Sequence, residues 1–480
     1  MSTRARPGGM PNRVIRRQPR PTRILACPEP MEQPKVHGVG HYARRFVAAL
    51  AGLILVGAGL LMLPWATESG EATAPIDALF TAVSAATVTG LVTVDTADHW
   101  SFFGEAIILL LIQVGGLGFM VGASLALLVL RREVGLRETL LMQAGGPTLS
   151  LREAIDLSGR IVRYTFILEG IGALLLTTRF AADMAIGQAI WKGLFYAVSA
   201  FCNAGFDLQG GFLSLIPYRT SIWINAVMIV LIQAGALSYI VFSDVVSKRG
   251  WRRFSLDTKM ILVVNGVLLL MGMLVMLGIE WNDSLAEMPV WARPVAALFQ
   301  SVSARTAGFA TVNVGDFQMA TLFIWLVLMG IGGAPGSTAG GVKMTTVGVV
   351  AAAVGSTLRG QTEPQVFGRR LPVSLVFRAM AVIVLFVILH FVATLLLVFV
   401  QNLQAEGSVS FIALMFEAMS ALATVGLSTG VTPDLSSAGK LVLCATMFIG
   451  RLGPLTATYA LQRRQHQPRY RFPETAVRIG

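Results

Sequence analysis

The residues in this chain best placed to do chemistry lie in four copies of one short phrase. Each copy reads Phe, two variable residues, Val or Met, Ser-Ala and, four or five residues later, Gly: FTAVSAATVTG from Phe80, FYAVSAFCNAG from Phe195, FQSVSARTAG from Phe299 and FEAMSALATVG from Phe416. The copies are spaced by 115, 104 and 117 residues and end on Gly90, Gly205, Gly308 and Gly426. Glycine adopts dihedrals that other residues avoid and leaves its carbonyl oxygen unobstructed. Carbonyl oxygens gathered on one path can replace the hydration shell of a passing cation. Four segments read as irregular backbone of this kind: Thr87, Val88, Thr89 and Gly90; Cys202, Asn203, Ala204 and Gly205; Thr306, Ala307 and Gly308; Ala423, Thr424, Val425 and Gly426. At membrane depth such backbone is tolerated only where it lines a cavity. Glycines that merely let helices pack would explain one such site, but four at the same place in four repeats point to four walls around one axis.

Those segments need a setting, and composition supplies it. Of 480 residues, 54% are hydrophobic and 13% charged, against roughly 25% charged in a soluble domain. A hydrocarbon core takes about 20 helical residues to cross. Apolar runs near 46–65, 106–130, 161–178, 222–243, 260–279, 321–355, 379–400 and 438–461 give eight spans, two per repeat. A repeat period near a hundred residues means domain-sized units. The chain divides into a basic tail at 1–44 expected to be disordered, repeat 1 at 45–130, a loop and repeat 2 at 131–247, repeat 3 at 248–355, repeat 4 at 356–460 and a second basic tail at 461–480.

Charge then assigns sides. Residues 1–45 hold ten Lys and Arg against Glu29 and Glu32, and residues 461–480 hold five Arg against Glu474, which together account for the net +12. The stretches 131–163, 248–259 and 355–378 carry fifteen more basic residues, including Arg131, Arg132, Lys248, Arg249, Arg252, Arg253, Arg369 and Arg370. The positive-inside rule makes both tails and these loops cytoplasmic and puts every repeated phrase on the outer side. The N-terminal tail would also suit nucleic-acid binding or a transit peptide, and the reading taken is a disordered tail near anionic lipid head groups. Cys27, Cys202 and Cys444 are too scattered for a disulfide framework or a metal site.

Each phrase must be carried by something shorter than a span. Pro75 and Asp77 open an apolar stretch ending near Ala86, a helix start with too few residues to cross. Such a helix enters, ends in the membrane with its carbonyls unpaired, and turns back, its negative dipole end favouring a cation. Every unit reads as span, pore helix with filter strand, span.

At this point the chain resembles the Trk/Ktr/HKT superfamily of potassium transporters. The resemblance covers roughly residues 45–460 and rests on TVTGLVTVDT (87–96), NAGFD (203–207), RTAGF (305–309), TVGLSTG (424–430), IGGAPGSTAGGVK (331–343) and GRLGPLT (450–456). It is greatest to the Ktr-type membrane subunit, because only a polar tail precedes the first unit. The resemblance implies an all-α integral membrane fold, four helix–pore-helix–helix repeats with pseudo-fourfold symmetry around one pore, and potassium uptake across the cell membrane. K+ would be held at the filter carbonyls. The four glycines, where sodium-preferring plant relatives tend to carry Ser first, make potassium the expected substrate. The third copy is one residue shorter, so some passage of Na+ is expected, and Na+ as a co-ion or modulator is left open. The implied partners are a second copy of the chain, membrane lipids, and a cytosolic ring of nucleotide-binding RCK-type regulatory subunits. Nucleic acid is not among them, and this chain has no nucleotide fingerprint of its own.

Two further constellations belong to the pore. The sixth span is interrupted by Gly332, Gly333, Ala334, Pro335, Gly336, Ser337, Thr338, Ala339, Gly340 and Gly341, followed by Lys343. Interior Gly costs about 1 kcal/mol and Pro about 3 kcal/mol in a helix, so this span is broken. Against a phosphate loop, Lys343 comes one place late, Met344 stands where Ser or Thr is needed, and no strand precedes it. The resemblance implies an intramembrane loop that obstructs the pore; a static kink is the alternative. Arg451 lies inside the eighth span, and an arginine at membrane depth faces a cavity or an acid. It reads as a pore charge that slows conduction, with an ion pair to Glu417 or Glu169 as the structural alternative.

His37 and His41 have helical metal-ligand spacing but sit in a Pro-rich tail, and His390 reads as a packing residue. The stretches IQVGGLGF (112–119) and IQAGALSY (232–239) read as small-residue packing faces. The chain carries no Ser-His-Asp set, paired carboxylates or HExxH pattern, so an enzyme is not expected. A secondary transporter of another cation or small solute, with inverted repeats, is the competing class, and repeats of parallel orientation argue against it.

Overall fold

The computed structural model describes residues 39–132, 151–361, 363–402 and 409–453. Two helices flank each pore segment. Repeat 1 holds α1 (Val39–Leu61), α2 (Pro75–Ala86), the short α3 (Thr96–His99) and α4 (Phe102–Arg132). Repeat 2 holds α5 (Leu151–Phe180), α6 (Ile186–Cys202) and α7 (Ile222–Lys248). In repeat 3, α8 (Leu256–Ile279) and α9 (Arg293–Ser303) precede a second span split into α10 (Met319–Gly330) and α11 (Met344–Leu358). Repeat 4 holds α12 (Val373–Asn402), α13 (Phe411–Ala423) and α14 (Ser437–Leu452).

Three departures from the sequence reading have local causes. Helix α1 begins at Val39, inside the segment assigned to the disordered tail, so His41 lies on it, whereas His37 lies outside the described residues. An antiparallel hairpin of β1 (Gln365–Val366) and β2 (Arg369–Arg370) joins α11 to α12, a small exception to an all-α chain. It turns on Phe367 and Gly368, both at positive φ. Among the described residues, five helices are long and apolar enough to cross a membrane: α4 over Phe102–Gly122, α5 over Asp156–Phe180, α7, α8 and α12. The remaining three of the eight apolar runs are represented by α1, by the halves α10 and α11, and by α14, all shorter in their described parts.

The pore helices are inside and the long helices outside. Pro75 at the first turn of α2, with Asp77 beside it, starts that helix where a missing N–H does no harm and a negative charge meets the dipole. Its 12 residues rise only about 18 Å at 1.5 Å each, well short of a hydrocarbon core. Phe80, Phe195, Phe299 and Phe416, the first residue of each phrase, are all 0% exposed. In contrast α12 leaves Phe377, Phe391, Leu395 and Phe399 exposed, an apolar surface that water would not tolerate but lipid does.

Packing is cyclic. The second span of each repeat lies against the pore helix of the next: α4 on α6, α7 on α9, α10 on α13, and α14 back on α2.

Candidate functional site

The site begins with three residues per repeat. In Val88-Thr89-Gly90, Asn203-Ala204-Gly205, Thr306-Ala307-Gly308 and Thr424-Val425-Gly426, the first and last residues have positive φ: 56° and 92°, 58° and 72°, 80° and 80°, 50° and 93°. Alternation of left-handed residues keeps these segments out of both helix and strand, and it recurs in all four copies. Cys202 and Ala423, read from sequence as part of the irregular segments, are instead the last helical residues of α6 and α13. Their helices continue until Asn203 and Thr424 turn left-handed at the cap, and only there does the hydrogen-bond ladder run out.

The four segments meet. A Cβ on Gly90 would lie 2.4 Å from the Ala204 carbonyl oxygen, and one on Gly205 would lie 3.0 Å from that of Ala307. One on Gly308 would lie 2.6 Å from the Val425 oxygen, and one on Gly426 would lie 2.1 Å from that of Thr89, closing the circuit. Each glycine is thus required twice, by its φ and by the carbonyl of the next repeat in the space a side chain would take.

The serine of each Ser-Ala pair ties its segment in place, a role the sequence reading missed. Backbone N–H groups of Thr89, Ala204 and Val425 donate to the carbonyls of Ser84, Ser199 and Ser420 at 2.7–2.8 Å. In the shorter third copy Ala307 reaches the carbonyl of Ser303 at 3.0 Å, so the missing residue is absorbed before the anchor. The hydroxyls divide the copies in two. Those of Ser84 and Ser420 accept from the N–H of Gly90 (3.0 Å) and Gly426 (3.1 Å). Those of Ser199 and Ser303 donate to the carbonyls of Phe206 and Phe309. The signal was present, since Leu follows the glycine in the first pair and Phe in the second.

Below this circuit sits the interrupted span. Residues 331–343 form a loop pinned at its neck by Gly332 N–H to Val342 O (2.9 Å) and Val342 N–H to Gly330 O (3.0 Å). Its middle crosses from copy 2 to copy 4. Thr338 Oγ1 donates to Phe201 O and lies 3.3 Å from the Asn203 amide, while a Cβ on Gly340 would touch the Ala423 carbonyl and the Thr424 hydroxyl. The N–H groups of Ala334 and Thr338 donate to Ala236 O (2.9 Å) and Gly235 O (3.3 Å) of α7. Lys343 turns back on its own loop, donating to Ala339 O and Gly340 O.

Arg451 is 1% exposed and reaches this loop. Its guanidinium donates from Nη1 to Thr338 O and from Nη2 to Gly115 O (3.1 Å), and lies 4.3 Å from the centroid of the Phe119 ring. Lys343 Nζ lies over the same ring at 5.6 Å, so Phe119, which the sequence did not single out, receives two cations on its π-system. Neither acid considered as a partner is used: Glu169 accepts from Gln113 Nε2 (3.2 Å), and Glu417 accepts from Ser428, Thr429 and Thr432. The small-residue faces do pack closely, with Cβ atoms on Gly115 and Gly235 falling 2.0 and 1.9 Å from the carbonyls of Ala86 and Phe201 at the ends of α2 and α6.

Two residues beyond Gly205 stands Asp207, half-buried, whose Oδ1 accepts from the Gln209 N–H at 3.1 Å. Burial pushes its carboxyl up to about 7; the Gln209 N–H opposes this, Asp95 adds to it and Lys192 opposes it. The described residues contain no group of His, Cys, Asp and Glu able to hold a metal ion.

The family model for the TrkH cation transport protein matches residues 53–472. The chain is 36% identical over 431 residues to the potassium/sodium uptake protein NtpJ of Enterococcus hirae, spanning 89% of this chain and 95% of that one. It is 36% identical over 429 residues to the Ktr system potassium uptake protein B of Bacillus subtilis, spanning 89% and 94%. Its fold is similar to that of the potassium transporter TrkH from Vibrio parahaemolyticus, with a TM-score of 0.70 at 19% identity over 89% of this chain and 86% of that one. With a match across most of its length and relatives at this identity, the chain belongs to the TrkH family of cation transport proteins.

Proposed function

We propose that this chain carries potassium ions into the cell through one central pore, with eight spans arranged as four repeats of pseudo-fourfold symmetry. The observation that carries this reading is the closed circuit Gly90, Gly205, Gly308, Gly426, in which the carbonyl of one repeat occupies the side-chain space of the next. Carbonyl oxygens crowded around one axis compensate a dehydrated monovalent cation without any charged ligand. The relatives named for potassium uptake support the choice of ion, and the name of the Enterococcus hirae relative supports some admission of sodium.

The loop 331–343 is the gate, and Arg451 is its latch. Support comes from the loop's position against copies 2 and 4 and from the Arg451 bond to Thr338. With no acid paired to it, Arg451 also leaves a positive charge under the filter that raises the barrier to a cation. The basic loops face the cytoplasm, and Arg252, Arg253, Arg369 and Arg370 stand exposed there. They offer a docking face for a regulatory subunit, a partner that the Ktr system names of the relatives support. A homodimer in the cell membrane completes the reading.

Rubidium uptake by cells lacking their own potassium systems tests it, with sodium as competitor. Saturable rubidium uptake inhibited far more by potassium than by sodium is expected. Strong sodium preference would overturn the assignment.

A further inference from the structure

Helix α7 is not one helix. Midway along it Ser238 has φ 68° and ψ 155°, dihedrals reserved almost entirely for glycine. The residue is 1% exposed, and its hydroxyl has no partner among the described residues. An α-helical hydrogen bond from residue i+4 to carbonyl i closes a ring through the dihedrals of i+1 to i+3. One residue in this conformation at 238 therefore opens the rings that start at the carbonyls of 235, 236 and 237. Gly235 and Ala236 are the two carbonyls that accept from Thr338 and Ala334 of the loop.

The sibling spans make the residue choice informative. Aligning IQVGGLG, IQAGALS and MFIGRLG places Gly118, Ser238 and Gly453 at one position. Gly453 has φ 77° and ψ 145°, nearly the conformation of Ser238, and ends α14. Gly118 is absent from the positive-φ glycines and α4 runs through it as helix. The same position is thus kinked where glycine permits it, straight where the helix has no loop to hold, and kinked against the side-chain preference in the span that holds the loop.

We infer that Ser238 is the positioning residue of the gate: held at glycine dihedrals, it withdraws the Gly235 and Ala236 carbonyls from α7 and lends them to the loop 331–343, and when it returns to helical dihedrals α7 reclaims both carbonyls and the loop is let go. The loop bonds of the closed state and the helix bonds of the open state use the same two acceptors, so the two states exclude each other. Serine instead of glycine keeps the kinked state strained and the exchange close to balance. This inference rests on the loop being a gate.

The test is rubidium flux into proteoliposomes for the wild type, Ser238→Gly, Ser238→Val, a chain lacking residues 334–340, and that deletion combined with Ser238→Gly. Glycine relieves a strain of about 1 kcal/mol, so Ser238→Gly is expected to lower flux about fivefold and raise the melting temperature in detergent. Valine, worse at positive φ, is expected to raise flux. The deletion raises flux, and in its background Ser238→Gly no longer lowers it. If the deletion raises flux while Ser238→Gly leaves it unaltered, the hinge is wrong and the gate stands. If the deletion leaves flux unaltered, the gate reading falls and the hinge with it. Should the deleted chain not purify, Arg451→Ala, which frees Thr338 O, takes its place as the test of the gate. It is expected to raise flux, and because the loop keeps its bonds to Gly235 and Ala236, Ser238→Gly still lowers flux in that background. Unaltered flux in Arg451→Ala overturns the gate, and flux that Ser238→Gly leaves unaltered in that background overturns the hinge.

Discussion

The four glycines are equivalent in sequence but unequal in surroundings, and the inequality ranks their substitutions. A methyl group on Gly426 would meet a carbonyl oxygen at 2.1 Å, on Gly90 at 2.4 Å, on Gly308 at 2.6 Å and on Gly205 at 3.0 Å. Alanine at Gly426 or Gly90 must push backbone aside in addition to bearing positive φ, whereas Gly205→Ala needs only a small yield of its neighbour. Potassium flux should fall by roughly tenfold or more for Gly426→Ala and Gly90→Ala and least for Gly205→Ala. Equal effects at all four would contradict the packing described. The serines make a second prediction. Ser84→Ala and Ser420→Ala leave a buried glycine N–H without an acceptor, at a cost of about 1–3 kcal/mol. They should relax the preference of potassium over sodium about fivefold or more, as read by competing fluxes. Asp207 makes a third. Its carboxyl, pushed up to about 7 by burial, is charged above that pH and neutral below it. In the proposed orientation Asp207 lies on the outer side, so inward flux should decline as the outer medium is acidified through pH 7, because a negative charge two residues from a filter glycine concentrates cations. Asp207→Asn should hold flux at the acid level throughout, and an unchanged pH profile in that variant would remove the residue from the account.

Among the elements, the broken sixth span is the one on which the proposed gate rests. A continuous helix from Met319 to Leu358 would satisfy its own backbone, and the Gly- and Pro-rich interruption forbids it. The freed backbone is then satisfied by neighbours: α7 through two carbonyls, α14 through Arg451, and the loop's own neck. Such a segment is held by hydrogen bonds borrowed from its neighbours instead of a helix ladder of its own, so its release is a matter of exchanging those few bonds. Arg451→Ala removes both the bond to Thr338 and the fixed charge, so under the proposed gate it should raise rubidium flux several-fold while leaving the potassium-to-sodium ratio unchanged, since Arg451 bonds to none of Gly90, Gly205, Gly308 and Gly426. A loss of folded protein in detergent would instead mean that the Gly115 and Thr338 bonds are chiefly structural. Lys343→Gln is expected to move flux less, because both hydrogen bonds described for Lys343 go to its own loop and it is the more distant of the two cations over Phe119.

At the scale of the whole molecule, the ring of repeats has to close between the first and the last. On the side to which the segments return, each junction has its own clasp. Asp95 and Asp98 accept from Phe212 and Gly211 between repeats 1 and 2, and Leu215 donates to Ala310 O at 2.9 Å between repeats 2 and 3. Gly315 packs against Thr429 O between repeats 3 and 4, and Lys440 pairs with Asp77 at 2.7 Å between repeats 4 and 1. The last pair joins residues 363 positions apart, with side chains only 13% and 17% exposed. A pair this sheltered is worth more than a surface ion pair but less than a fully buried one. Lys440→Met and Asp77→Asn should each lower stability by roughly 2 kcal/mol in detergent, and the double variant should fall well short of the sum. Additive losses would mean that the clasp does not hold the ring.

The architecture was legible in the residues to the extent that it repeats. Composition announced a lipid-facing exterior, the spacing of Phe80, Phe195, Phe299 and Phe416 announced four units, and the Gly and Pro content of 332–341 announced a break. All of these depend on residue type and periodicity, which are local. The ends of α6 and α13 were misplaced by one residue because a helix stops where a dihedral changes hand, and Asn203 and Thr424 carry that change without being glycine. The serine anchors, Phe119 as a shared seat for Arg451 and Lys343, and the lack of an acid beside Arg451 could not be read, because each is a meeting of side chains or backbones from different repeats. The sequence by itself determined that four glycine-ended hairpins exist and that a membrane holds them. Only the tertiary structure decided that they face one another and which oxygen fills each missing side chain, because carbonyl contacts across repeats leave no mark on the residue types that supply them.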